Sequence, residues 1–299
     1  MKILPPDPIT ESNLTSNVAI TETVWSAGTY ATGTQRYVGI DLYEVVADPN
    51  TTDEPTAGAA KDIPTWIRIG VIERFRMFDM VIGDVSTRPV DDDLTVTIDA
   101  SGTVNGVAVF NAIAASVQVQ VTDPVEGVVY DETKQLSSTV GLGDFYSYFF
   151  GTASRDDTAL FLNLPSYPVA TITVIFLPEV GGSVSVGELV IGKQRTIGTT
   201  LMNFSFGIED FSRKERDDFG RFIITERRFA KIAGFDVFLT NVEVQNAFRL
   251  LSEVRSTPVV YVGDSNRSET VILGFYRSFS TLRTGPISSE MTLEIEGIV

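Results

Sequence analysis

Short runs of period-two alternation restrict this chain most. Leu94-Thr-Val-Thr-Ile98, Val117-Gln-Val-Gln-Val121 and Thr171-Ile-Thr-Val-Ile-Phe176 each put every second side chain on one face. That is the geometry of a half-buried β-strand, not of a helix. Turn signals fall between them at Ala100-Ser-Gly102, Asp123-Pro124, Gly141-Leu-Gly143 and Val180-Gly-Gly182. No helix-length periodic segment separates the runs, so residues 71–190 read as an antiparallel β-sandwich rather than βαβ units.

The flanks follow other rules. Residues 1–23 are rich in Pro, Ser and Thr, lack a buried-face period and read as an extended N-terminal arm, free or threaded onto a neighbouring subunit. Residues 24–70 hold short β-like pieces around the polar loop 48–58. With no Cys, so small a unit must lean on aromatics or on the next domain for a core. Residues 191–299 show strand-like runs at 200–206, 221–229, 234–239, 259–262, 270–280 and 291–298, with one helix at about 241–255. Thr240-Asn-Val-Glu243 is a capping box, Val244, Phe248, Leu251 and Val254 form the expected apolar stripe, and Pro258 stops the helix. The expected fold is therefore mainly β: a small aromatic β module, an antiparallel β-sandwich, and a β-barrel or sandwich carrying one α-helix.

Composition removes most chemistry. The chain has no Cys and no His, which excludes disulfides, thiol nucleophiles, imidazole ligands and His-dependent triads. A net charge of −16 argues against nucleic-acid binding. That charge lies wholly in residues 1–190, with 9 basic and 25 acidic side chains, whereas residues 191–299 carry 14 of each. No apolar run reaches the roughly 18 residues of a membrane span. The opening residues lack the pattern of a signal peptide, so the chain is expected to be made in the cytoplasm and to leave it only as part of something larger.

Both tryptophans fall within 24–70, in Trp25-Ser-Ala-Gly-Thr-Tyr30, then Tyr37, Leu42-Tyr43-Glu, and Pro64-Thr-Trp66. Flat rings stack on sugar faces and equally fill a very small core. The order Trp, Tyr, Gly, Tyr-Glu, Pro, Trp, Gly resembles small chitin-binding-type carbohydrate modules. The resemblance implies host-surface glycan binding, with Trp25, Tyr30, Tyr43 and Trp66 as the candidates. The loop 48–61 departs from that pattern in lacking an aromatic.

Residues 211–231 interleave seven basic and four acidic side chains. A mixed-charge hairpin suits either subunit contacts or plain solvation, and Arg213, Lys214, Arg216, Arg221, Arg227 and Arg228 are the subunit-contact candidates. Lys214-Glu-x-Asp-x-Phe-Gly220, Glu226-Arg-Arg-Phe-Ala230, the helix, Ser256-Thr-Pro-Val-Val-Tyr-Val-Gly263, Leu273-Gly-Phe-Tyr-Arg277 and Leu293-Glu-Ile-Glu-Gly297 follow in order. With Arg74-Phe-Arg-Met-Phe-Asp79, they resemble tailed-bacteriophage virion proteins and, more loosely, the tube-forming domain of distal tail proteins. The resemblance implies a virion location in the tail tip or baseplate, tube, hub or tape-measure neighbours, and a homo-oligomer such as a ring, trimer or hexamer.

Asp91-Asp-Asp93 and Asp156-Asp157 are the densest acidic points, but neither has the alternating spacing of a Ca²⁺ loop, and adjacent carboxylates point different ways. Val140-Gly-Leu-Gly143 lacks the Lys and helix of a phosphate loop. Phe145-Tyr-Ser-Tyr-Phe-Phe150 reads as an aromatic strand. The expectation is a non-enzyme with no catalytic residues, no metal site and no cofactor. Its work is assembly at the tail, with glycan recognition by 24–70 as the alternative.

Overall fold

The computed structural model describes residues 1–100, 102–138, 154–216 and 219–298. The fold is mainly β, and among the described residues the strands pair antiparallel, with one isolated parallel bridge between Val24 and Tyr37. Val140–Gly143 and the aromatic run Phe145–Phe150 lie outside the described residues.

Two sheets make the sandwich. One runs in the order Gly127–Gln135, Ser116–Asp123, Thr171–Leu177, Leu94–Asp99, Leu14–Ser16; the other runs Ala159–Leu162, Gly106–Ile113, Val184–Gly192, Ser86–Arg88. The alternation seen in the sequence sets the register: Val119 faces Val174, and Val174 faces Val96 on the next strand. All three are buried in one core with Val107, Val109 and Val186 of the opposite sheet. A one-residue slip would turn each of these rows to water. At the tip of the outer hairpin, Asp123 accepts the backbone N–H groups of Val125 and Glu126 at 2.8 and 3.0 Å, which closes the turn foreseen at Asp123-Pro124.

Gly106–Ile113 and Val184–Gly192 do not alternate, because both of their faces are covered. Their second face carries Ala108, Phe110 and Val190, which pack with Leu160 against Leu4, Val260, Val262, Val271 and Leu273 of the C-terminal sheet. This apolar layer joins the two halves of the molecule.

The C-terminal sheet has seven strands in the order Arg195–Thr196, Lys2–Leu4, Val259–Val262, Val271–Arg283, Ser288–Gly297, Phe229–Thr240, Thr199–Asp210. It curls until Thr200, on one edge, donates to the carbonyl of Gly263 at 2.7 Å. A Cβ at Gly263 would lie 2.4 Å from the Phe235 ring, so glycine is what allows that approach. Inside the curl sit Ile3, Phe235, Val237, Leu239, Tyr261, Leu293 and Ile295.

The helix Asn241–Glu253 lies across this core. Thr240 N–H donates to the Glu243 carboxylate at 2.8 Å, and that bond holds the Glu243 pKa down. Leu251 and Val254 of the expected stripe are buried and Val244 packs against the core, but Ala247 and Leu250 complete the buried face in place of Phe248. Ala247, Leu250, Leu251 and Val254 follow an i, i+3, i+4, i+7 row, so the helix is rotated from the anticipated setting. Phe248 stands 61% exposed, with its ring edge-on to Phe279.

Residues 1–23 are not a free arm. Lys2–Leu4 is an interior strand of the C-terminal sheet, paired with Arg195–Thr196 and Val259–Val262, and Leu14–Ser16 is the edge of the sandwich. The reason is apolar burial: Ile3 and Leu4 are fully enclosed. The link between these strands presses on the chain at Gly192, where any Cβ would collide with the Pro5 carbonyl. The strand expected at 221–229 is also divided. Phe222–Thr225 pairs with Arg213–Arg216 as a separate hairpin, and Phe229 then opens the long strand of the main sheet.

Candidate functional site

The small module is built around its aromatics. Gln35–Val38, Asp41–Val45 and Trp66–Val71 form its sheet, and Tyr30, Tyr43, Val45 and Trp66 are its buried core. Trp66 has no exposed surface. Its indole N–H donates to the Asp53 carbonyl at 3.1 Å, and its ring meets Tyr30 edge-on with centroids 5.6 Å apart. The Tyr30 hydroxyl donates to the Ser26 carbonyl at 2.6 Å. Asp53 is a clamp: Lys61 and Thr65 each donate to its carboxylate at 2.7 Å, and the Lys61 ammonium is the main reason its pKa is held at about 2. The short helix Pro55–Ala59 closes over Trp66, with Gly58 so near that a Cβ would lie 2.5 Å from the indole.

This placement corrects the glycan-binding assignment of three residues. Tyr30, Tyr43 and Trp66 present no free ring face for stacking on a sugar, because a unit of this size needs them for its own core. Trp25 is half-buried against the same cluster, and its indole nitrogen has no hydrogen-bond partner among the described residues.

The second feature is the hairpin between Asp210 and Phe229. Every described residue from 213 to 229 is exposed. Phe219 is 87% exposed, and Phe222, Ile223, Ile224 and Phe229 stand out beside it. The strand leading into the hairpin, Thr199–Asp210, is an edge of the seven-stranded sheet and displays Met202, Phe206 and Ile208. The structure brings only part of the basic set together across the hairpin. Lys214 pairs with Asp210 at 2.7 Å and Arg213 with Glu215, while the Arg216 guanidinium covers the Phe222 ring at 4.5 Å. The Arg227 backbone N–H donates to the Ser212 hydroxyl at 3.0 Å. Arg221 is exposed, and Arg228 turns back onto Gly83 of the sandwich.

The acidic runs have local duties. Asp91 accepts the Gly181 N–H at 2.6 Å, Asp92 pairs with Arg88 at 3.0 Å, and Asp93 accepts the Thr95 hydroxyl at 2.6 Å. The strongly perturbed carboxyl is elsewhere, at Glu188, which the sequence reading passed over. Glu188 is fully buried, with one oxygen accepting the Met80 N–H at 2.9 Å and the other without a partner among the described residues. Burial, reinforced by the nearby Asp79, pushes its pKa up to about 9, and burial likewise lifts Asp79 to about 6. The available signal was a single carboxylate inside the apolar run Val184–Ile191.

No family model matches this chain, and no curated protein matches it. Among solved structures, chitosan-binding module 1 from a chitosanase/glucanase of Paenibacillus sp. IK-5 overlays at a TM-score of 0.26 with 16% identity, covering 39% of this chain and 81% of that module. A selenomethionine-labelled mutant of the same module gives 0.27 and 14%, covering 40% of this chain and 82% of the module. Likeness at that level carries no argument about this chain's fold or ligand.

Proposed function

We propose that this chain is a structural component of a tailed-bacteriophage tail that joins copies of itself, or neighbouring tail proteins, through its C-terminal sheet and works without catalysis. The exposed hairpin 211–228 carries this reading, because Phe219, Phe222, Ile223 and Ile224 each leave more than half of their surface in water, side by side on one hairpin. Contiguous apolar surface of this kind marks an interaction site, and an unpaired edge strand beside it adds free backbone donors and acceptors.

A second exposed apolar group lies at the other end of the same sheet. Val242 and Ile287 are exposed there, where Asn241 N–H donates to the Ile287 carbonyl at 3.1 Å, and the exposed Leu282 precedes the same turn. Two different patches at opposite ends suit head-to-tail contacts, which close into rings or run on as filaments, better than a two-fold dimer. A glycan role would rest on Trp25 alone.

The test is light scattering on the intact chain and on a Phe222→Ser/Ile224→Ser variant, with mass spectrometry of purified particles. An oligomer at micromolar concentration, lost in the variant at unchanged thermal midpoint, supports assembly. A monomer that is absent from every particle overturns it.

A further inference from the structure

A cavity of about 350 Å³ opens between the sandwich and the C-terminal sheet. Phe110, Phe229, Leu273 and Ile298 supply apolar walls, and Arg228 and Lys231 lie among its lining groups. A second hollow of about 450 Å³ adjoins it and shares Asp157, Thr158, Lys231 and Ile272, so Lys231 borders both. One wall is set by backbone. Asn111 holds a left-handed conformation at φ 52° and donates its side-chain amide to the Ile82 carbonyl at 2.9 Å. Gly187 lets that carbonyl come close, since a Cβ there would lie 2.5 Å from it.

Arg228 owes its seat to a glycine rather than to an acid: a Cβ at Gly83 would collide with the guanidinium. Among the described residues neither Arg228 nor Lys231 has an ion pair or a side-chain hydrogen bond, whereas Arg277 is bound by both Glu209 and Glu296. Asp157 is the one carboxylate in the lining of the first cavity among the described residues and accepts the Thr158 hydroxyl at 2.8 Å, while Glu269 lines the adjoining hollow. Within the first cavity two cations against one acid leave positive charge in a chain whose net charge is −16.

We propose that this cavity binds a small amphipathic carboxylate, with its hydrocarbon body along the apolar lining of Phe110, Phe229, Leu273 and Ile298 and its carboxylate on Arg228 and Lys231. An inorganic anion would leave the apolar walls unfilled, and a neutral apolar molecule would leave both cations unpaired. A concave, mostly apolar site with a few convergent polar groups is the usual form of a small-molecule pocket. The walls come from a single chain, but Arg228 also belongs to the hairpin of the assembly reading, so oligomeric state must be followed alongside binding.

The test is calorimetric titration of the intact chain with decanoate, with decanol as the neutral comparator and inorganic phosphate as the bare anion. Expected are one-site saturable binding of decanoate, a loss of about tenfold or more in Arg228→Ala/Lys231→Ala, and weaker binding of decanol than of decanoate. Thr158→Trp, which fills the cavity from its rim and keeps both cations, is expected to weaken decanoate as well. Thermal midpoints and oligomeric state, measured in parallel, keep loss of fold or assembly distinguishable from loss of the site. Absence of saturable binding at millimolar decanoate, equal binding of decanoate and decanol, or unchanged affinity in the folded double variant would each overturn the proposal.

Discussion

Replacing Glu188 with Gln removes the one group whose ionisation the fold opposes most strongly, and the consequence appears as a slope against pH. Glu188 goes from an ordinary value of 4.5 in the unfolded chain to about 9 in the folded one. Between those limits the folded state holds a proton that the unfolded state has lost, so stability falls as pH rises, by about 1.4 kcal/mol per pH unit. The Met1 ammonium acts in the opposite sense. Burial lowers it from 8.0 to about 6, so across that interval the unfolded state holds the extra proton and stability rises with pH. The two slopes largely cancel in the wild type between about pH 6 and 8, and a wild-type profile alone would hide Glu188.

The difference between Glu188→Gln and wild type is free of that cancellation, because every other group is common to both. Urea unfolding at about pH 6, 7 and 8 is expected to show the variant gaining on the wild type by about 3 kcal/mol over the range. The constant offset depends on whether the new amide N–H₂ finds a partner, a matter of about 1–3 kcal/mol, but it does not alter the slope. Asp79, lifted from 3.8 to about 6, titrates mainly below this window. A difference that stays constant across the range would show that Glu188 is not held neutral and would refute the reasoning.

Trp66→Ala is expected to cost about 3–5 kcal/mol and to abolish the near-ultraviolet dichroism of the small module, because its indole is enclosed and bonded to Asp53. Within the helix, Leu251→Ala should lose about 2–5 kcal/mol by urea denaturation, whereas Phe248→Ser should lose under about 1.5 kcal/mol, since its ring contacts Phe279 from outside; equal losses would restore the stripe read from sequence. Gly263→Val should drive the Phe235 ring from its place and lower the thermal midpoint by several degrees, while Gly102→Ala, which meets nothing within 4 Å, should leave it unchanged.

The alternating strands were legible because a half-buried strand records its burial one residue at a time. Leu94, Val96 and Ile98 face the core for the same reason that Thr95 and Thr97 do not. The helix was legible from Thr240-Asn-Val-Glu243 and Pro258, but its rotation was not, since Phe248 and Leu251 are both apolar and the sheet beneath chooses between them. Trp66 showed the same limit. An aromatic in a small unit reads equally as a binding face or as core, and only its neighbours Asp53, Gly58 and Tyr30 settle which.

Local pattern, then, was enough to determine the β class, the capped helix, the charge division and the absence of Cys and His, because each depends on residue type and near-neighbour spacing. Long-range packing alone decided that Lys2–Leu4 lies inside the C-terminal sheet, that Glu188 is enclosed beside Asp79, and that Arg228 and Lys231 share one cavity. These join residues as much as 260 positions apart, such as Lys2 and Val262, and neither periodicity nor composition carries information over that distance.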